Sequence, residues 1–182
     1  MATASSPDDL IDQLYQLPLD EFTAARNALA KSSGQASLKA LEKPTLAAWA
    51  VNQLYWHQRA TYDELIKTST QVRLAYRQSL EGHEADVLAA DVFHAEAMRR
   101  AKEAVRRLLQ EAGGSATEIV MTGVAETLDA LPTTDAPGRL TRPLRRTGFE
   151  ALAGVTIAAK PASPRPPATA QRDEDKIGRA HV

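Results

Sequence analysis

The run from Leu46 to Trp56, L-A-A-W-A-V-N-Q-L-Y-W, is apolar almost all the way round a helical wheel. A helix with no polar face has nothing to give to water, so other helices have to enclose it. Pro44 fixes its start: proline disfavours helical backbone at Lys43 and suits the first turn of the helix that follows. The chain therefore reads as all-α, a compact bundle of about six helices built around residues 46–56.

The surrounding pattern supplies the other helices. Ser5-Ser6-Pro7-Asp8-Asp9 puts cap-type residues, a first-turn proline and two acids ahead of Leu10, Ile11 and Leu14, predicting a helix over residues 7–17. Pro18-Leu-Asp-Glu-Phe repeats the arrangement and opens a second helix to residue 31, ended by Ser32-Ser33-Gly34. A short third helix spans 36–42. Tyr62, Leu65, Val72, Tyr76 and Leu80 mark a long amphipathic helix over 61–81. Beyond Gly82, the stripe Val87, Asp91, His94, Met98, Ala101, Val105, Leu108, Ala112 marks a longer one over 83–112. These two should pair as an antiparallel hairpin, and a further helix should run from Ser115 to residue 131, ahead of Pro132.

Past Pro132 the signal changes. T-T-D-A-P-G-R-L-T-R-P-L-R-R-T-G-F-E-A-L-A-G is rich in breakers and holds one apolar cluster, Phe149 to Leu152, which should lie over the bundle as irregular chain. Residues 160–175 contain P-A-S-P-R-P-P, which cannot build a core and reads as a disordered Pro-rich linker after a helical domain over 1–159. The last residues, 176–182, K-I-G-R-A-H-V, back-translate to the start of a common sequencing-library adapter. They are expected to be an artefact replacing a natural continuation.

Composition bounds the function. With 22 basic and 23 acidic residues the net charge is −1, so no global field draws nucleic acid or anionic membrane. The absence of cysteine from the sequence removes disulfides, thiol nucleophiles and thiolate metal sites, and fits a cytoplasmic address. No stretch is apolar for the roughly 18 residues that suggest a membrane span.

The blocks Leu17-Pro-Leu-Asp-Glu-Phe-Thr-Ala-Ala-Arg-Asn and Leu41-Glu-Lys-Pro-Thr-Leu-Ala-Ala-Trp-Ala-Val-Asn-Gln-Leu, with Gly138-Arg-Leu-Thr-Arg and Gly148-Phe, resemble a family of uncharacterised bacterial helical proteins. The resemblance implies a helical region joined by a Pro/Ala-rich linker to a long coiled coil, which this sequence lacks. It implies no activity and carries over no catalytic residue.

Several constellations invite a functional reading. Arg139, Arg142, Arg145 and Arg146 form a run with no acid inside it, the arrangement by which irregular chain can hold phosphates, although no aromatic is interleaved to stack on a base. Arg99, Arg100, Lys102, Arg106 and Arg107 differ, because Glu96 and Glu103 stand four residues before Arg100 and Arg107 and should pair with them. Trp49, Asn52 and Trp56 share one face of the central helix and can line a small-molecule pocket, or can be core groups bonded to a neighbouring helix end. Asp91 and His94, with His83 on nearly the same face, offer half of a helical-bundle metal site, but the second motif such a site needs does not occur. No phosphate loop, dinucleotide fingerprint or nucleophile elbow is present, so no cofactor or metal is expected. The reading that follows is a non-enzymatic interaction or scaffold module with a protein partner or self-association. The alternatives are a nucleic-acid-associated protein and a small-molecule binder or enzyme.

Overall fold

A computed structural model describes residues 6–146. The chain runs α1 (Pro7–Gln16), α2 (Phe22–Ser32), a 3-10 turn (Ala36–Ala40), α3 (Leu46–His57), α4 (Arg59–Leu80), α5 (Val87–Glu111) and α6 (Glu118–Ala130). No strand occurs among the described residues, and no helix there is long and apolar enough to cross a membrane. The apolar cluster at Phe149–Leu152, the linker over 160–175 and the final residues 176–182 lie outside the described residues.

Caps set the helix starts. Ser6 and Asp9 form a reciprocal capping box on α1. Thr45 accepts from the Ala48 N–H, Asp86 from Ala89 and Thr117 from Val120, so α3, α5 and α6 each open on a side-chain oxygen. Several boundaries differ from the sequence pattern: α3 opens on Thr45 with Pro44 outside its first turn, and α6 starts at Glu118, not at Ser115. The second helix begins at Phe22, because Pro18 to Glu21 close a turn through Glu21 N–H to Pro18 O. Residues 36–40 form a 3-10 turn where an α-helix was expected. The fifth helix begins at Val87, since Asp86 is the residue able to cap it, and this leaves His83 exposed in the connection.

The core forms where the pattern requires it. Ala47 to Leu54 of α3 are buried as one block, polar residues included. Leu65 of α4, Ala101, Val105 and Leu109 of α5, and Val124 and Leu128 of α6 close around them. A smaller cluster joins α1 to α2 through Leu14, Tyr15 and Phe22, the two rings meeting edge to face at 5.2 Å. Gln58 alone separates α3 from α4, and α4 and α5 pack as an antiparallel hairpin.

Candidate functional site

The polar groups of α3 grip two stretches of backbone, the irregular chain after α6 and the C-terminal end of α1. Asn52, fully buried, donates its side-chain amide to Leu140 O at 2.8 Å and accepts the Leu140 N–H at 2.9 Å. Trp56 donates its indole N–H to Gly138 O at 3.0 Å, and the Thr45 N–H bonds Thr141 O at 2.9 Å. Near the other chain end, Trp49 donates to Leu17 O at 2.9 Å and Gln53 to Tyr15 O at 3.0 Å. A polar atom buried without a partner would cost the free energy of its lost hydration. Here each such atom has one.

Residues 138–144 therefore form a strap across α3 and α6. At its start Gly138 holds φ at +78°, and a Cβ there would stand 2.5 Å from Tyr55 Cδ1 and 2.7 Å from Trp56 Nε1. Both the backbone conformation and the space demand glycine. At its end the Leu144 N–H bonds the buried Thr127 hydroxyl, which itself donates to Gly123 O.

This arrangement decides two sequence expectations. Trp49, Asn52 and Trp56 do share the face of α3, but they do not line a common pocket: Asn52 and Trp56 hold the strap, while Trp49 holds the end of α1. A groove of about 420 Å³ does run beside Trp49, Gln53 and His57 toward Leu108 and Glu111, and neither Asn52 nor Trp56 reaches it. The Asn52 acceptor is a main-chain strap, not the expected helix end.

The four arginines carry no acid inside their run, yet each meets one in space. Arg139 bonds Asp12 at 2.6 Å and Asp8 at 2.9 Å, both on α1. Arg142 pairs with Glu42 at 3.1 Å, Arg145 with Glu126 at 3.3 Å and Arg146 with Asp129 at 3.3 Å. The Asp12 carboxylate, with Asp8 adding to it, pushes the Arg139 guanidinium pKa above its ordinary value despite partial burial. The premise that the run is uncompensated holds along the sequence and fails in three dimensions. Along α5 the expected pairs form, Arg100 to Glu96 at 2.9 Å and Arg107 to Glu103 at 3.9 Å. Arg99 joins them, and Arg99 and Arg100 together hold the Glu96 carboxyl down to about 2.

Asp91 and His94 have separate partners. Asp91 accepts from the Tyr76 hydroxyl at 2.8 Å, and His94 Nδ1 shares a hydrogen bond with the Thr68 hydroxyl at 3.3 Å. Burial lowers the His94 pKa, opposed chiefly by Asp129. His83 is not on their face, because it precedes the start of α5. No group of three His, Asp or Glu side chains among the described residues could hold a metal ion.

What the sequence reading missed is an apolar surface at the far end of the hairpin. Leu74, Tyr76, Leu80, Leu88, Val92 and Phe93 are all exposed there, Leu88 at 75% and Phe93 at 65%. The signal was present: Leu88, Val92 and Phe93 fall off the stripe that packs α5, and apolar residues off the packing stripe are surface residues. A comparison with family models gives no match, and neither curated proteins nor solved structures give one.

Proposed function

We propose that the chain is a non-enzymatic helical interaction module, acting in the cytoplasm, whose partner-binding surface is the apolar end of the α4–α5 hairpin. The exposed cluster carries this reading. Single exposed apolar residues are ordinary, whereas several within one hairpin end mark a surface made to be covered. A groove of about 400 Å³ runs between the helices, lined by Ala60, Thr61, Glu64, Ala97 and Arg100. Helical spacing continues its α5 wall from Arg100 and Ala97 to Phe93, and its α4 wall from Glu64 through Lys67 and Gln71 to Leu74. An amphipathic helix laid along that groove would bury Phe93 and Leu74 against its own apolar face. The resemblance to a family with a coiled-coil extension is in keeping with a partner of that form.

The test is cross-linking capture from a bacterial lysate with the wild-type chain and a Leu74→Glu/Phe93→Glu variant. Both positions are exposed, so the fold should survive, and bound proteins should be lost from the variant. Identical capture by both would overturn the reading. A second reading retains nucleic acid as the partner, because the Arg142 and Arg145 side chains are 74% and 81% exposed and such pairs exchange readily for phosphate.

A further inference from the structure

The opposite side of the hairpin carries a strip that is half covered. On α4, Ser69 and Arg73 both donate to Leu131 O at 2.8 Å, which seats the end of α6 on that row. At helical spacing the same row continues as Tyr76 and Leu80, both exposed. On α5, His94 lies within the electrostatic reach of Asp129 and Arg146, and the row runs back from it through Asp91 to Leu88. The Tyr76–Asp91 hydrogen bond ties the two rows together at 2.8 Å. Covered up to Arg73 and His94, the strip ends in Tyr76, Leu80 and Leu88, over which no described residue lies.

The chain leaves the described region at this place. Arg146 is its last described residue and is paired with Asp129 beside His94. The sequence that follows is T-G-F-E-A-L-A-G-V-T-I, in which Phe149 stands three residues beyond Arg146. Three extended residues span about 10 Å. From His94 back to Leu88 the helix rises about 9 Å. Three residues of extended chain are thus of the same length as the stretch of α5 from His94 to Leu88, and Phe149 and Leu152 have the spacing of one face of a helical turn.

We propose that residues 149–157 dock on the strip formed by Tyr76, Leu80 and Leu88, with Phe149 and Leu152 as the apolar anchors. The segment extends the cover that the end of α6 begins, and it leaves Leu74 and Phe93, on the other side of the hairpin, open to a partner. This inference narrows the partner surface proposed above to the Leu74 and Phe93 side of the hairpin end, and it needs no second molecule of its own.

The absence of cysteine from the sequence makes the test direct. Chains of all 182 residues carrying Ala153→Cys together with Leu80→Cys, Leu88→Cys or Leu74→Cys are treated with a short bis-maleimide at low protein concentration. Residue 153 lies four beyond Phe149, the spacing of one helical face, and the three hairpin positions are exposed, so helicity by circular dichroism should be unchanged. The expected result is an intramolecular cross-link at monomer mass for the Leu80 or Leu88 pairing and none for Leu74, with the link lost when Phe149→Glu and Leu152→Glu are added. No cross-link at either position, equal cross-linking at all three, or a link that survives the two glutamates would each overturn the proposal. Cross-linked dimers would overturn it in favour of a second copy as the occupant.

Discussion

Asn52 and Leu140 exchange two hydrogen bonds, side-chain amide to main-chain amide, across 88 residues of sequence. The carboxamide has the same donor and acceptor as a peptide unit, so a helix side chain here does what a neighbouring strand would do in a sheet. This pair closes the bundle, since both groups are buried and neither has water to fall back on.

Replacing Asn52 should expose that dependence. Asn52→Ala leaves the Leu140 N–H and C=O buried and unsatisfied, at about 1–3 kcal/mol for each group. Asn52→Asp should be at least as damaging, because one carboxylate oxygen can still accept from the Leu140 N–H while the other faces Leu140 O. Denaturant unfolding measures both, and an Asp variant as stable as the wild type would show that the strap can leave α3 without loss.

Gly138→Ala tests the start of the strap. The new methyl group would have to enter the space of the Tyr55 and Trp56 rings, on a backbone with φ of +78° that L-residues avoid. A non-glycine residue held in so sparsely populated a conformation costs about 1–3 kcal/mol before the clash is added. A melting temperature equal to the wild type would mean that the strap moves away from α3 at little cost.

The arginines should divide into one structural residue and three surface ones. Arg139 is 23% exposed and bonds two carboxylates of α1, so Arg139→Gln should cost about 1.5–3 kcal/mol, the range for hydrogen bonds to charged groups. Arg142→Gln, Arg145→Gln and Arg146→Gln should each stay within about 0.5 kcal/mol, as exposed pairs do. The triple variant then tests phosphate contact on an intact fold. We expect neither chain to retain a mixed oligonucleotide at physiological salt, and salt-dependent retention by the wild type that the triple variant loses would restore the nucleic-acid reading.

His94 should make stability depend on pH. Burial is the main cause that holds its pKa below the ordinary 6.5, against the opposing effect of Asp129, with Arg146, Asp91 and Arg73 contributing less. The unfolded chain therefore takes up this proton first as the pH falls. The stabilisation is present above 6.5 and is lost as the pH drops through the lower value of the folded state. Unfolding midpoints measured across that window should fall more steeply for the wild type than for His94→Gln. Parallel curves would assign the pH dependence to other groups.

The helices were legible because periodicity is a local property. An all-apolar run at 46–56, a three-four stripe along α5 and the cap at Ser6 each declare themselves within a few residues, whereas the cap at Thr45 was passed over for Pro44, which stands outside the first turn. The start of α2 was misplaced because Pro18 suits a tight turn as well as a first helical turn, and residues 36–40 are too short for periodicity to tell a 3-10 turn from an α-helix. The strap was not legible. Its acceptors are main-chain carbonyls, which every residue carries, and its ionic partners lie far off in sequence: 127 residues separate Arg139 from Asp12, and 100 separate Arg142 from Glu42. Counting acids within a run of arginines cannot detect acids delivered by α1 and α6.

The strap also places a constraint on how the chain is made. Asn52 leaves the ribosome 88 residues ahead of Leu140, an interval of about 4–18 s at synthesis rates of roughly 5–20 residues per second. Throughout that interval the most apolar of the described helices exists without the peptide group that completes its polar inventory. Nascent chains stalled before Leu140 should accordingly be the species that chaperones hold.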